Sequence, residues 1–598
     1  LDLGLVVGPV GRLHVEPEVG PLFRVLVLLA SDRLVDGRRV AAVHVADGVV
    51  GRAPQQAPER VAQHRLRVVA HEPQLFLLGG HRRAEGHARG LGRKLEIEAD
   101  GSRLVRTLDR LPVEVGVGKS RKLDSFVVHW FNWPQGSAEV TVNCQEPLFA
   151  MELTIQEGSC PYLYAWDGEK YRFITDFLGA APLGLPMAEG RYIEADPEEL
   201  VWIGDEQSFL AKEGVYKLKI TEELREVLYL DEAKLVVVDH EPGVEVHPTD
   251  KLLPGKPYPP GALMTLHREH PLRRAESDEG REVTSALKTI DGRRVSPPRL
   301  RPSHLRGLAE PHGWILDFGP LDTSKPMVLV MNGWLRFGGG MANIAASLDS
   351  SLPFPFPTLE AEVSPGIWTA LDVTVGAPAG MTKTILVDLE GKLAAGTSRL
   401  RLTGAFEIHW DRIALMEKKP DAQTRITFIQ PTEADLHFRG FSAVQDFPSD
   451  WPITPDYDRV TANSYWTITP GGWCTRYGDV SELIAERDEG LVLMNSGDEL
   501  TLNFKASSLP PKPPGSIREF FLYSDGWDKD SDFHVAAGAQ VEPLPFHGMD
   551  DQRYTLVKRP PFPSDALHRK YNTRWVEGKG LRQTVTSRLV PVFDGLTN

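Results

Sequence analysis

The sequence predicts a mainly β, multi-domain protein that is rich in β-sandwich or jelly-roll folds and begins with a poorly structured N-terminal segment. Three observations lead to this fold class. Short apolar runs that alternate with polar residues recur along the chain, as β-strands require. The 47 Pro and 54 Gly residues favour short strands joined by turns over long helices. The length of 598 residues exceeds what one hydrophobic core can organise.

The overall composition argues against several classes of partner and site. The net charge of −15 argues against nucleic acid as the main partner, because nucleic-acid binding depends on an excess of Lys and Arg. No stretch approaches the roughly 20 apolar residues of a membrane-spanning helix, so we predict no membrane span. The three Cys residues form no CxxC pair, which argues against a zinc knuckle or a thioredoxin-like motif. We expect buried free thiols, or a Cys144–Cys160 pair if the chain is exported.

Residues 1–118 differ in composition from the rest of the chain. They contain no Trp, Tyr, Asn, Met or Cys, and they hold sixteen Arg against a single Lys, Lys94. A folded β-region of this size without Tyr or Trp is unusual, and the bias is typical of GC-rich DNA translated in a wrong frame. Two interpretations stay open: a segment that is not a native domain, or a divergent Val-rich β region. We assign no function to it.

The predicted domains follow changes in composition and in strand pattern. Residues 251–310 are dense in Pro and Arg and are typical of a linker or a long excursion. Residues 311–420 contain closely spaced short strands, and their pattern resembles the galactose-binding-like β-sandwich. The complete division is 1–118, the atypical segment; 119–158, a β module; 159–250, an aromatic-rich β domain; 251–310, the linker or excursion; 311–420, the β-sandwich; and 421–598, a C-terminal β-rich domain and tail.

The run YLYAWDGEKYRF (162–173) predicts a β-hairpin whose strands are joined by an Asp-Gly turn. Tyr162, Tyr164 and Trp166 alternate on one face of the first strand and can meet the aromatic residues of the second strand. These side chains are candidates for stacking against sugar rings. The alternative, which we favour, is that they pack in the core between two sheets.

The acidic run DGWDKDSD (525–532) is the best candidate for an ion site. Asp525, Asp528, Asp530 and Asp532 place hard oxygen ligands within one predicted loop, and Ca²⁺ prefers such ligands. The run departs from the EF-hand pattern, because Phe533 stands where the Gly at the sixth position would be. We therefore predict Ca²⁺ as the only candidate cofactor, with a solvated acidic turn as the favoured alternative.

Catalytic motifs are scarce in this sequence. No GxSxG and no HExxH is present. His409-Trp410-Asp411 offers an acid/base pair, which we interpret as structural. We predict no catalytic residue.

Several segments resemble one protein family. LDSFVVHW…WPQGS…LTIQE resembles the ASPIC/UnbV module, which lies on the C-terminal side of FG-GAP propeller proteins such as those of the cartilage acidic protein-like family. The matching positions are Asp124, Ser125, Trp133, Pro134 and Gly136, and an intervening Phe-Asn pair disturbs the spacing. GSCPYLYAWDGEKYRFITDFLGAAPLG, ITEELREVLYLDEAKLVVVDH, TRYGDVSELI and VEPLPFHGM are similar to the extension of a group of bacterial members. The resemblance covers roughly residues 120–575.

This resemblance implies a non-catalytic binding or scaffolding protein of an exported bacterial system, periplasmic or secreted, that recognises a glycan or a protein partner. A carbohydrate-active enzyme is the first alternative, because the two carboxylates of a glycosidase can lie far apart in sequence. A purely structural module is the second. Aromatic residues on an open face would favour glycan binding, and convergent carboxylates in a deep cleft would favour the enzyme.

Overall fold

The computed structural model describes residues 161–578, apart from gaps at 260, 302–304, 353–354, 445–453, 463–468 and 533, and within residues 1–160 the backbone of the strands. Strands account for 46% and helices for 7% of these residues, so the prediction of a mainly β protein is confirmed. The chain divides into two compact units, residues 1–156 with 465–467, and residues 157–464 with 468–598.

The first unit contains two sheets of strands β1–β9. One sheet has the order β1-β9-β3-β2 with β6 also paired to β3, and the other has the order β5-β4-β7-β8. The predicted strand after residue 122 is β7, and the 119–158 module also contains β8 and β9. The residues of 1–160 between the strands lie outside the described residues. The strands are β1 Leu26–Leu29, β2 Val45–Asp47, β3 His64–His71, β4 Lys94–Ala99, β5 Ser102–Thr107, β6 Val113–Gly118, β7 Lys122–His129, β8 Gly136–Thr141 and β9 Leu148–Met151.

The second unit contains strands β10–β36 in three successive blocks. The first block is β10 Tyr162–Trp166, β11 Tyr171–Asp176, β12 Pro186–Ala188, β13 Arg191–Tyr192, β14 Glu198–Asp205, β15 Val215–Thr221 and β16 Glu226–His240. The second is β17 Glu245–Pro248, β18 Leu263–His270, β19 Arg274–Ser277, β20 Leu308–Asp317, β21 Met327–Leu335, β22 Thr358–Ser364, β23 Ile367–Ala370, β24 Lys383–Asp388, β25 Arg399–Phe406 and β26 Ile408–Lys418. The third is β27 Thr424–Ile429, β28 Glu433–Phe438, β29 Phe441–Val444, β30 Pro455–Thr461, β31 Gly472–Cys474, β32 Gly478–Asp479, β33 Val492–Asn495, β34 Asp498–Lys505, β35 Ile517–Asp530 and β36 Arg574–Val576.

The first and third blocks together form one sandwich, which we call the host sandwich. One sheet has the order β11-β10-β15-β34-β28-β32, and the other has the order β14-β35-β16-β27 with β33 also paired to β16. Alternating apolar residues of both sheets share one core, which includes Leu218, Leu502, Leu228, Leu235 and Phe520. The predicted 159–250 and 421–598 domains are therefore joined within the same sheets.

The second block forms the inserted sandwich, which interrupts the host sandwich between β16 and β27. Its sheets have the orders β17-β18-β26-β21-β24 and β19-β20-β25-β22-β23. Trp314 and Leu400 from one sheet share a core with Met331, Ile385 and Leu415 from the other. The segment 251–310 contains β18 and β19 and completes this sandwich, so it differs from the linker or excursion that its Pro and Arg content predicts.

Two helices and several short elements complete the described part of the second unit. The helices are α1 Gly339–Ser347 and α2 Asp565–Tyr571, and the short 3-10 segments are Thr284–Leu287, Ser481–Leu483, Ala506–Ser508 and Asp551–Arg553. Two-stranded sheets pair β12 with β13, β29 with β30 and β31 with β36. Within the described residues, no helix has the length and apolarity of a membrane span. Cys474 is a buried free thiol, and Cys144 and Cys160 lie outside the described residues.

Candidate metal centre

A β-bulge in the host sandwich directs Asp231 toward a polar cluster. β16 and β35 pair antiparallel, but the register shifts so that Leu230 faces Gly526 and Glu232 faces Asp525, which leaves Asp231 as the extra residue. Such a bulge redirects a side chain and is common beside functional sites. A side chain at Gly526 would overlap the carbonyl oxygen of Tyr229, so this close approach of the strands requires glycine.

The imidazole of His547 contacts three carboxylates. Its Nε2 lies 2.8 Å from Oδ1 of Asp525, and its Nδ1 lies 3.0 Å from Oε1 of Glu489 and 3.8 Å from Oδ2 of Asp231. Burial alone would lower the pKa of His547, but hydrogen bonds to Asp525 and Glu489 and their charges raise that pKa to about 9. In the absence of a metal, the imidazolium therefore donates hydrogen bonds to carboxylates on both sides.

The loop that carries Glu489 is held against Asp231. Asp231 accepts the backbone N–H groups of Asp488 at 3.2 Å and of Glu489 at 3.1 Å. Burial raises the pKa of Asp231 to about 7, against the opposing effect of these two hydrogen bonds. Glu489 has a φ of 69°, in the left-handed region that non-glycine residues seldom adopt. This conformation is maintained by the surrounding structure, and strained residues of this kind cluster at functional sites.

The donor atoms of Asp231, Glu489 and His547 are close enough for one cation to reach all of them. These atoms all lie within 4.8 Å of one another. Asp525 holds the second nitrogen of the same imidazole, and a carboxylate in that position orients a histidine that ligates a metal. One nitrogen with carboxylate oxygens suits zinc or another divalent transition metal better than Ca²⁺, whose ligands are oxygens alone.

The surroundings of the cluster combine burial with one accessible side. Asp231 and Asp525 are fully buried, whereas the side chain of His547 is 18% exposed. Nε of Arg487 lies 3.2 Å from Oδ2 of Asp525, and the Trp527 ring lies 4.8 Å from the His547 ring. Among the three donor side chains, that of His547 is the most exposed to solvent.

The predicted acidic turn is a strand in the structure, because residues 525–530 end β35. Because side chains alternate along that strand, Asp525 points to one face of the sheet, and Asp528 and Asp530 point to the other. Asp525 is part of the metal centre. Oδ1 of Asp530 pairs with Nε of Arg225 at 2.9 Å, and burial raises the pKa of Asp528 well above its usual range. Oδ1 of Asp532 accepts the N–H of His534. The four carboxylates therefore do not converge on one point. Ca²⁺ binding by them stays a prediction.

The predicted aromatic hairpin is β10 paired with β11, as its sequence indicates. Tyr162 and Tyr164 are buried, and the ring of Tyr457 from β30 lies 5.0 Å from that of Tyr164. Trp166 is partly exposed, and Nζ of Lys212 lies 4.0 Å from its ring centre. Tyr164 therefore lies beneath the β29–β30 hairpin. Tyr162 is buried as well, so neither side chain offers a free face to a sugar ring.

The sequence analysis missed Asp231, Glu489 and His547. The signal that could have found two of them is their position in segments already singled out, since Asp231 lies in ITEELREVLYLDEAKLVVVDH and His547 lies in VEPLPFHGM. Glu489 lies five residues after TRYGDVSELI. Comparisons with protein-family models, curated proteins and solved structures find no match for this chain.

Proposed function

We propose that this is a binding protein whose central site holds a divalent transition-metal ion on Asp231, Glu489 and His547. The observation that carries the proposal is the convergence of these three donors within 4.8 Å, with Asp525 on the other nitrogen of the same imidazole. Three carboxylates outnumber the positive charges of His547 and Arg487 beside them, so a divalent cation would improve the local charge balance.

The family resemblance supports a role for this centre. Asp231 and His547 lie in two of the segments that carry the resemblance. A third segment, TRYGDVSELI, ends shortly before the loop that contains Glu489. Membership of the ASPIC/UnbV family, export from the cell and a scaffolding role are further parts of the proposal. When bound, the metal would replace the Nδ1 proton of His547, and binding would therefore weaken as the solution becomes more acidic.

We expect Zn²⁺ or Mn²⁺ to raise the melting temperature relative to chelator. A metal that binds only the folded state adds about 2.7 kcal/mol to the free energy of unfolding at a hundredfold excess over Kd. His547→Gln should abolish this shift and the metal content measured by mass spectrometry. The control is His437→Gln, since His437 also contacts carboxylates, Asp435 and Glu499, but outside the centre.

Two results would contradict the metal proposal. The first is identical melting in chelator and in each metal. The second is metal binding that His547→Gln leaves unchanged. A shift caused by Ca²⁺ that Asp530→Asn removes and His547→Gln retains would instead support the site predicted from the acidic run.

Glycan recognition is a second candidate function, and an exposed pair of tryptophans favours it. Trp473 of β31 and Trp575 of β36 lie directly opposite each other. They are 49% and 58% exposed, with ring centres 5.3 Å apart and planes at 69°. Thr573 and Glu577 flank β36, lie two residues from Trp575 and are also exposed. Indole faces suit the apolar face of a pyranose, and the flanking hydroxyl and carboxylate suit its hydroxyl groups.

A direct test of glycan recognition is titration calorimetry with a panel of soluble polysaccharides. We expect Trp575→Ala to weaken binding of a recognised glycan at least tenfold, or about 1.4 kcal/mol, because it removes an aromatic contact. Trp202→Ala is the control, since Trp202 is 44% exposed on β14 and lies outside the pair. If the panel shows no binding and Trp575→Ala only lowers the melting temperature, the pair merely stabilises its two-stranded sheet.

A further inference from the structure

We infer that Ser296, His409 and Glu407 form a nucleophile–base–acid chain on the inserted sandwich, and that Ser296 reacts with small activated acyl esters. Oγ of Ser296 lies 2.8 Å from Nδ1 of His409, and Nε2 of His409 lies 3.3 Å from Oε1 of Glu407. A single tautomer satisfies both contacts, with the Ser296 hydroxyl donating to Nδ1 and the Nε2–H donating to Glu407. A nucleophile beside a base that a third group orients is the arrangement of acyl-transfer enzymes.

Backbone pairing positions the serine beside the histidine. The N–H of Val295 donates to the carbonyl of Trp410 at 2.7 Å, and the N–H of Trp410 donates back at 3.0 Å. This isolated bridge places the residue after Val295 beside the residue before Trp410. Ser296 is exposed to solvent, whereas the side chain of His409 is 12% exposed and that of Glu407 is 4% exposed. The chain of contacts therefore runs from the surface inward.

Packing fixes the orientation of the imidazole. The Trp334 ring stacks on that of His409, with centres 4.5 Å apart and planes at 22°. Nη1 of Arg336 lies 3.6 Å from Oε1 of Glu407, next to the carboxylate that the imidazole faces. Nη2 of Arg281 donates to the carbonyl of Ser296 at 3.2 Å, which places a positive charge beside the serine. Negative charge that develops on a substrate oxygen would be stabilised by such a charge.

The carboxylate that faces His409 is Glu407, and Asp411 has the structural role that its sequence position suggests. Asp411 accepts the N–H groups of Asp291 and Gly292 at 3.2 and 3.0 Å, so it holds a turn. Glu407, two residues before His409, supplies the carboxylate instead. The absence of a GxSxG motif is consistent with this arrangement, because a triad is recognised by geometry and its residues need not follow one sequence pattern.

Hydrolysis of an ester at Ser296 requires water as its only co-reactant. Oγ of Ser296 gives its proton to Nδ1 of His409 and bonds to the ester carbonyl carbon. The bond from that carbon to the alkoxy oxygen breaks, and the leaving alcohol takes the proton from His409. Water then gives a proton to His409 and its oxygen bonds to the acyl carbon, which releases the carboxylic acid while Oγ recovers its proton. Glu407 is a positioning residue that stabilises the transient imidazolium.

The test uses the full chain, p-nitrophenyl acetate and a fluorophosphonate probe. We expect one probe adduct, located on Ser296 by peptide mass spectrometry. Ser296→Ala and His409→Gln should each lower the ester hydrolysis rate at least about a hundredfold, the lower range of acid–base catalysis. Glu407→Gln should lower the rate and move its pH profile. Ser351→Ala is the control, because among the described residues the Ser351 hydroxyl donates to Asp349, a carboxylate and not an imidazole.

The location of the adduct on the wild-type chain tests the role of Ser296 even if a variant fails to fold. Absence of an adduct at Ser296 would overturn the inference. Equal labelling of the wild type and of a folded His409→Gln variant would also overturn it, because the serine would then react without its base.

Discussion

Arg439→Met is expected to lower the free energy of unfolding by about 3–5 kcal/mol, because it leaves buried carboxylates without their cation. Nη1 of Arg439 lies 3.2 Å from Oε1 of Glu223, and Nε lies 3.3 Å from Oε2 of Glu499. Its Nη2 also donates to the carbonyl of Tyr457 at 2.6 Å. Arg439 thereby joins the sheet of the host sandwich to the β29–β30 hairpin that covers Tyr164.

The measurement is chemical denaturation of the wild type and of Arg439→Met. The control is Arg293→Met, since Arg293 pairs with Asp291 at the surface and exposed pairs contribute little. We expect no measurable change for the control. An equally small change for Arg439→Met would show that Lys219, which lies 2.7 Å from Glu499, is sufficient to neutralise the pocket.

His568 is expected to make the protein less stable by about 3 kcal/mol as the pH falls from 6.5 to 4. Nε2 of His568 accepts the N–H of Leu491 at 2.9 Å, which requires a neutral imidazole. Burial, together with the charge of Arg559, lowers the pKa of His568 to about 4, against about 6.5 in an unfolded chain. Between these values the unfolded chain binds a proton that the folded chain does not, so the stability is lost on acidification.

His568→Gln provides the comparison that isolates this effect. Glutamine keeps an acceptor for Leu491 but carries no titratable group, so its free energy of unfolding should fall less steeply below pH 6.5. Carboxylates titrate in both proteins, and only the difference between the two curves is attributed to His568. Parallel curves between pH 4 and 6.5 would contradict the prediction.

Local features of this fold are readable from the sequence. The Asp167-Gly168 turn is the clearest case, since Gly168 has a φ of 106° and Oδ1 of Asp167 accepts the N–H groups of Glu169 and Lys170. Alternation of aromatic residues on either side then specifies β10 and β11. The turn and the alternating aromatic residues that predict this hairpin all lie in the twelve residues YLYAWDGEKYRF.

Features that depend on distant pairing are not readable in this way. Asp525 and Gly526 carry turn-forming residue types, yet they lie in a strand because β14 and β16 pair with both edges of β35. The donors of the metal centre come from β16, from the loop before β33 and from the chain after β35. The register of β16 against β35, with the bulge at Asp231, places that residue beside Asp525, which holds the imidazole of His547.

The same pairing determines which part of the second unit can fold first as the chain is synthesised. β15 and β16 are made early, but their partners β34 and β35 follow only after the whole inserted sandwich. The inserted sandwich has all of its strands between Glu245 and Lys418, so it can fold before β16 meets its partners β27, β33 and β35. Once it has folded, His240 and Thr424 at its two ends are neighbours in the host sheet. The folded inserted sandwich then replaces a long flexible loop between β16 and β27. This lowers the entropy cost of pairing these two strands.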